Sequence, residues 1–158
     1  MILLMVDDEP IIIQTLARSI SIESLNIEKI LLAYSAEDAK RYFLNEPLID
    51  LVMCDIEMPQ TNGLALLSWI RANYPQTGCV FVTNYSVFQY AQEAIRLGCL
   101  DYILKPITPQ QITASIEKCI DKLHHPDKDL YLNQYLQKES LWHDMLFYLQ
   151  NISLLHNK

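Results

Sequence analysis

The sequence predicts an α/β fold: a doubly wound parallel sheet of five strands alternating with five helices, (βα)5, with an extra C-terminal helix. Three observations predict it. Five short apolar runs, at 2–6, 29–33, 51–54, 79–83 and 102–104, are of strand length and apolar throughout, as strands covered on both faces are. Segments with helical spacing separate them. The two textures alternate strictly, which describes βα units whose right-handed crossovers place helices on both faces of a parallel sheet.

Each helix has a local reason to form. Pro10 suits a first helical turn, and Ile12, Leu16 and Ile20 recur every four residues behind it. Ser35 is an N-cap for 36–44, with Asp38 three residues on as a weak form of the capping box. Gly63 opens 64–72, whose inner face carries Leu64, Leu67, Ile70 and Arg71. Ser86 is placed to cap 87–97, and Gly98 suits the C′ position that follows. Thr108 and Pro109 read as N-cap and N1 of a last helix through Lys122.

Composition narrows the function. The 158 residues suit one domain, 1–123, with an appendage at 124–158. Four cysteines, three glycines and a 51% hydrophobic share exclude a disulfide miniprotein, a collagen-like fibre and a disordered polar chain. A net charge of −7 with 12 scattered basic residues argues against direct nucleic-acid contact. No apolar run approaches the ~20 residues of a membrane span, and the start lacks the basic flank of a signal peptide. Cys54, Cys79, Cys99 and Cys119 form no CxxC pair, so buried thiols in a cytoplasmic protein are expected rather than zinc or a redox dithiol.

In open parallel sheets, function gathers at the carboxyl ends of the strands. There this sequence places Asp7-Asp8-Glu9, then Asp55 with Ile56-Glu57-Met58-Pro59 and a turn at Asn62-Gly63, then Thr83, then Lys105-Pro106. Singly, each has a plain explanation: acids at a helix N-terminus, a turn aspartate, a strand-end hydroxyl, a loop lysine. Their arrival in order on one sheet edge is far less probable by chance. Close carboxylates repel or recruit a cation, and oxygen donors without His or Cys favour Mg²⁺. A carboxylate beside such an ion can attack phosphorus, with Lys105 and Thr83 placed to stabilise the phosphoryl oxygens. The Lys105–Pro106 bond is of the X-Pro type that can be cis, which would fix the direction of the lysine.

At these residues the chain resembles a response-regulator receiver domain of bacterial two-component signalling. The motifs are Val6-Asp7-Asp8-Glu9-Pro10, Cys54-Asp55-Ile56-Glu57-Met58-Pro59 with Asn62-Gly63, Thr83, and Asp101-Tyr102-Ile103-Leu104-Lys105-Pro106. The stretch from Tyr85 to Ile95 further resembles receivers attached to AraC-type, YesN-like DNA-binding domains. The resemblance implies a flavodoxin- or CheY-like fold. It implies that Asp55 accepts a phosphoryl group from a sensor histidine kinase. It implies that Asp8 and Asp55, with the Glu57 backbone carbonyl, bind Mg²⁺, Asp7 acting largely through water. Lys105 would pair with the phosphoryl group, Thr83 would move toward it, and Tyr102 would rotate inward. Asn84 stands where the family usually has a small residue, and Glu57 adds negative charge beside the acceptor.

Two other functions compete. One is a Mg²⁺-dependent phosphatase with an aspartyl nucleophile, in which Glu57 has the spacing of a general acid. The other is a degenerate receiver acting only in dimerisation, whose hallmark would be loss of an acid or the lysine. After His124-His125-Pro126-Asp127, an apolar seam of Tyr135, Trp142, Met145, Leu149 and Ile152 predicts a further helix. That helix would pack on the domain or pair a homodimer. It is too short and too weakly basic to read DNA, so a DNA-binding output domain would lie outside these 158 residues.

Overall fold

The computed structural model describes residues 1–46, 48–84 and 87–124. Five strands, β1 (Ile2–Val6), β2 (Lys29–Ala33), β3 (Leu51–Cys54), β4 (Gly78–Thr83) and β5 (Asp101–Leu104), pair in parallel in the order β2-β1-β3-β4-β5. The helices α1 (Pro10–Ser19), α2 (Ala36–Asn45), α3 (Gly63–Asn73), α4 (Phe88–Arg96) and α5 (Pro109–His124) fall between and after them as the alternation predicts. By compactness the chain divides into Met1–Ile120 and Asp121–Lys158. The second unit is described only through the last turn of α5. The predicted tail helix and its seam lie outside the described residues, as does Ser86.

Strand periodicity of two splits the core into two layers. Leu4, Val6, Val52, Cys54, Cys79 and Phe81 face α2, α3 and α4. Leu3, Met5, Leu51, Met53, Val80 and Val82 face α1 and α5. Phe43 and Phe81 are buried almost completely, each contributing roughly 1.5–3 kcal/mol of burial free energy. Cys54, Cys79 and Cys119 are buried and Cys99 is half-buried. Among the described residues no helix is long and apolar enough to cross a membrane.

The caps follow local chemistry. Ser35 Oγ accepts from the Asp38 N–H at 3.0 Å, while the Asp38 carboxylate accepts from Tyr34 N–H rather than closing the box on Ser35. Thr108 and Gln111 do close one: Gln111 N–H donates to Thr108 Oγ1, and Thr108 N–H donates to Gln111 Oε1. Gly98 takes the left-handed conformation expected after α4, with φ +73°. One helix face departs from the expected stripe. On α1 the fully buried residue is Ile13, not Ile12, and Ile20 is the C-cap rather than a helical position. A spacing of four drifts round a helix of 3.6 residues per turn, so Pro10 and the sheet, not the repeat, choose the inner face.

Candidate functional site

The sheet order reverses beside β1, whose neighbours β2 and β3 are fed by connections running in opposite directions. That is where an open parallel sheet leaves a crevice. Register then sets two acids side by side. Val6 pairs with Cys54, so Asp7 and Asp55 leave adjacent strand ends together, and the Asp55 N–H donates to the Val6 carbonyl at 2.9 Å. On the other flank Thr83 pairs with Leu104, and the Lys105 N–H donates to the Thr83 carbonyl at 2.9 Å.

Lys105 reaches back across this edge. Its Nζ donates to Asp7 Oδ2 at 2.7 Å and to Asp55 Oδ2 at 2.9 Å. All three side chains are only 7% exposed. The remaining oxygens are held by the backbone, since Glu9 N–H donates to Asp7 Oδ1 at 2.9 Å and Glu57 N–H to Asp55 Oδ1 at 3.3 Å. Burial pulls the lysine's pKa down, but the hydrogen bonds and charges of Asp7 and Asp55 outweigh it, leaving the ammonium above its ordinary range. Two carboxylates face one ammonium, so the cluster keeps one uncompensated negative charge.

Thr83 is fully buried at the end of β4. Asp8 is half-buried next to Asp7, and Glu57 is exposed. Two carboxylates rather than three meet at the lysine. Among the described residues no group of three or more His, Cys, Asp or Glu stands ready to hold a metal. The donors present still fit Mg²⁺, which takes one or two protein carboxylates and keeps several waters. Asp7 and Asp55 are oxygen donors, nearly buried, and short of positive charge. The Lys105–Pro106 peptide bond is cis.

Three supporting residues make contacts that a reading of the sequence does not give. Gly63, foreseen as part of a turn that opens a helix, packs its Cα against the Asp55 backbone: a Cβ there would lie 2.2 Å from the Asp55 carbonyl oxygen. Tyr90 on α4 donates from its hydroxyl to Glu57 Oε1 at 3.2 Å. Arg71, foreseen on the inner face of α3, gives its guanidinium to the carbonyls of Thr77, Leu97 and Gly98 at 2.6, 2.9 and 2.8 Å. For Gly63 the Asn-Gly pair at a helix start was a signal. For Tyr90 none existed, because its partner lies 33 residues away.

Tyr102 is half-buried and meets Phe81 edge-on, with centroids 6.4 Å apart. Burial first, then the nearby Cys99, Asp55 and Tyr90, push its phenol up to about 12. An unfolded tyrosine titrates near 10, so above that pH the unfolded chain releases this proton before the folded one, and stability falls with rising pH. Lys105, also raised, acts in the same direction once pH passes its unfolded value. Tyr102→Phe is therefore expected to flatten the loss of stability between pH 10 and about 12, read as urea midpoints. Equal slopes in the two proteins would put the phenol in water.

A family described as the response regulator receiver domain matches residues 3–117. The transcriptional regulatory protein YesN of Bacillus subtilis is 31% identical over 137 residues, covering 87% of this chain and 37% of that protein. ZraR of Escherichia coli is 35% identical over 86 residues, covering 54% of this chain and 20% of that protein. The chain thus spans well under half the length of these relatives. Among solved structures, the REC domain of AraT, a response regulator from Geobacillus stearothermophilus, aligns with a TM-score of 0.72 and 35% identity, covering 80% of this chain and 97% of that one. A two-component transcriptional regulator AraC from Clostridium phytofermentans aligns with a TM-score of 0.73 and 27% identity, covering 79% and 96%.

Proposed function

Because the chain belongs to the response regulator receiver domain family, we propose that Asp55 is its phosphoacceptor and that the buried Asp7–Lys105–Asp55 cluster is its reaction centre. The observation that carries this reading is Lys105 Nζ bonded to both carboxylates at the crevice of the sheet. An Asp55 carboxylate oxygen forms a bond to phosphorus as the bond from phosphorus to the nitrogen of a histidine kinase's phosphohistidine breaks. The imidazole leaves and an acyl phosphate remains. Lys105 gives up one carboxylate bond and follows the charge onto the phosphoryl oxygens, a charge-assisted contact in a site with little water. Thr83 donates from β4. Receiver domains generally use Mg²⁺ for this chemistry, and Asp7, Asp8, Asp55 and the Glu57 carbonyl would hold it. When bound, it supplies positive charge to the phosphoryl oxygens.

The consequence is a switch rather than turnover. New bonds at Asp55 bias the loop that follows Thr83 at the end of β4 and the neighbouring face of α4 and β5, with Tyr102 reporting on it. An output domain, a DNA-binding one as the transcriptional relatives suggest, and self-association through 124–158 belong to the same proposal.

The test is direct. Incubated with Mg²⁺ and phosphoramidate, the protein is expected to gain one phosphoryl group by intact mass, and Asp55→Ala to gain none. Rapid hydrolysis of varied phosphate esters without an adduct would mean a phosphatase. No adduct and no Mg²⁺ binding would mean a module that works by association alone.

A further inference from the structure

Helix α4 is weakly anchored for an element in a parallel α/β fold. Of its nine residues only Ala91 and Ala94 are buried, and both are small. Polar bonds hold it at two places instead. At its C-terminal end the Arg71 guanidinium binds the carbonyls of Leu97 and Gly98 and joins them to Thr77, three charge-assisted bonds from one rigid fork. Nearer its start, among the described residues, one side-chain bond, Tyr90 Oη to Glu57 Oε1, ties it to the loop after β3. Glu57 is bonded at both ends. Its N–H donates to Asp55 Oδ1, and its carboxylate accepts from α4.

We infer that the Tyr90–Glu57 bond is a releasable latch coupling α4 to the acceptor loop, with the Arg71 clamp as the pivot. Tyr90 is in this sense a positioning residue, acting on Asp55 through Glu57. The inference rests on the phosphoacceptor reading and deepens it. A phosphoryl group on Asp55 adds negative charge two residues before Glu57 and removes the carboxylate character of the side chain that Glu57 N–H contacts. Both changes displace Glu57 and loosen its grip on Tyr90. The start of α4 is then free to swing while Leu97 and Gly98 stay clamped. Linkage requires the converse: cutting the latch makes the phosphorylated state easier to reach.

The experiment compares the full chain with Tyr90→Phe, Glu57→Ala and the double variant. Tyr90→Phe keeps the ring against the apolar layer. In unphosphorylated protein, hydrogen exchange of the amides of residues 91–95 is expected to quicken about threefold in each single variant, and no further in the double one. The amides of Leu97 and Gly98 keep their rates. With limiting phosphoramidate, the steady-state adduct fraction of Tyr90→Phe rises about threefold. Additive effects in the double variant, or unchanged exchange, would overturn the latch. So would a lowered unfolding midpoint without a larger adduct fraction, which a plain packing role gives. The exchange arm needs no phosphoryl group, so a missing adduct in every variant would overturn the phosphoacceptor reading and not the tie.

Discussion

Lys105→Ala is expected to lower the unfolding free energy by about 3 kcal/mol at neutral pH and to slow phosphoryl uptake at Asp55 by roughly a hundredfold. The two effects have one origin. Among the described residues the ammonium is the only cation bonded to these two carboxylates, each 7% exposed. Without it, like charges face each other in a nearly buried site and repel. Removing one of the two charges should therefore recover part of the loss, so Lys105→Ala with Asp55→Asn is expected to be more stable than Lys105→Ala alone. Millimolar Mg²⁺ should raise the urea midpoint of Lys105→Ala by more than that of the parent, since a divalent ion replaces the missing charge. A variant as stable as the parent at every pH would mean that water, not Lys105, neutralises the pair.

The sheet was legible because its strands are apolar on both faces, a pattern that leaves few alternatives once helical spacings fill the gaps. Three strands have the bounds the sequence predicts, and the other two begin one residue earlier, at Gly78 and Asp101. The centre was legible for a geometric reason. Residues following strand ends in a parallel sheet must share an edge, so Asp7, Asp55, Thr83 and Lys105 needed no knowledge of side-chain packing to be grouped. What stayed hidden depends on packing. Ile13 rather than Ile12 is buried because docking on the sheet selects the face. The Tyr90–Glu57 bond and the bonds of Arg71 to Leu97 and Gly98 join α4 to other elements across 26 to 33 residues. No local pattern encodes such distances. Gly63 lay between the two cases, its type readable from the turn but its role set by what it touches.

Gly63→Ala is expected to cost about 3 kcal/mol and to abolish phosphoryl uptake at Asp55. Alanine is the better helix former by roughly 1 kcal/mol, so local propensity alone would predict the opposite sign. Space decides. The added Cβ would lie 2.2 Å from the Asp55 carbonyl oxygen and 3.0 Å from both Cys54 Sγ and Phe81 Cε1. The oxygen cannot easily yield. Cys54 Sγ donates to it at 2.9 Å, the Asp55 N–H is fixed to Val6, and Gly63 N–H is itself fixed to Ile56 at 2.8 Å. Relief must come from moving the backbone that aims the Asp55 carboxyl at Lys105. Gly98→Ala is the contrast. There the strain is conformational, at φ +73°, with the nearest atom, Arg71 Nε, 3.7 Å away. It should cost about 1 kcal/mol and leave phosphoryl uptake intact. Trimming the movable neighbour is the decisive step. If backbone contact governs, Phe81→Leu added to Gly63→Ala restores neither stability nor the adduct. Recovery of both would show that the ring of Phe81, not the Asp55 carbonyl, is what demands a glycine at this position.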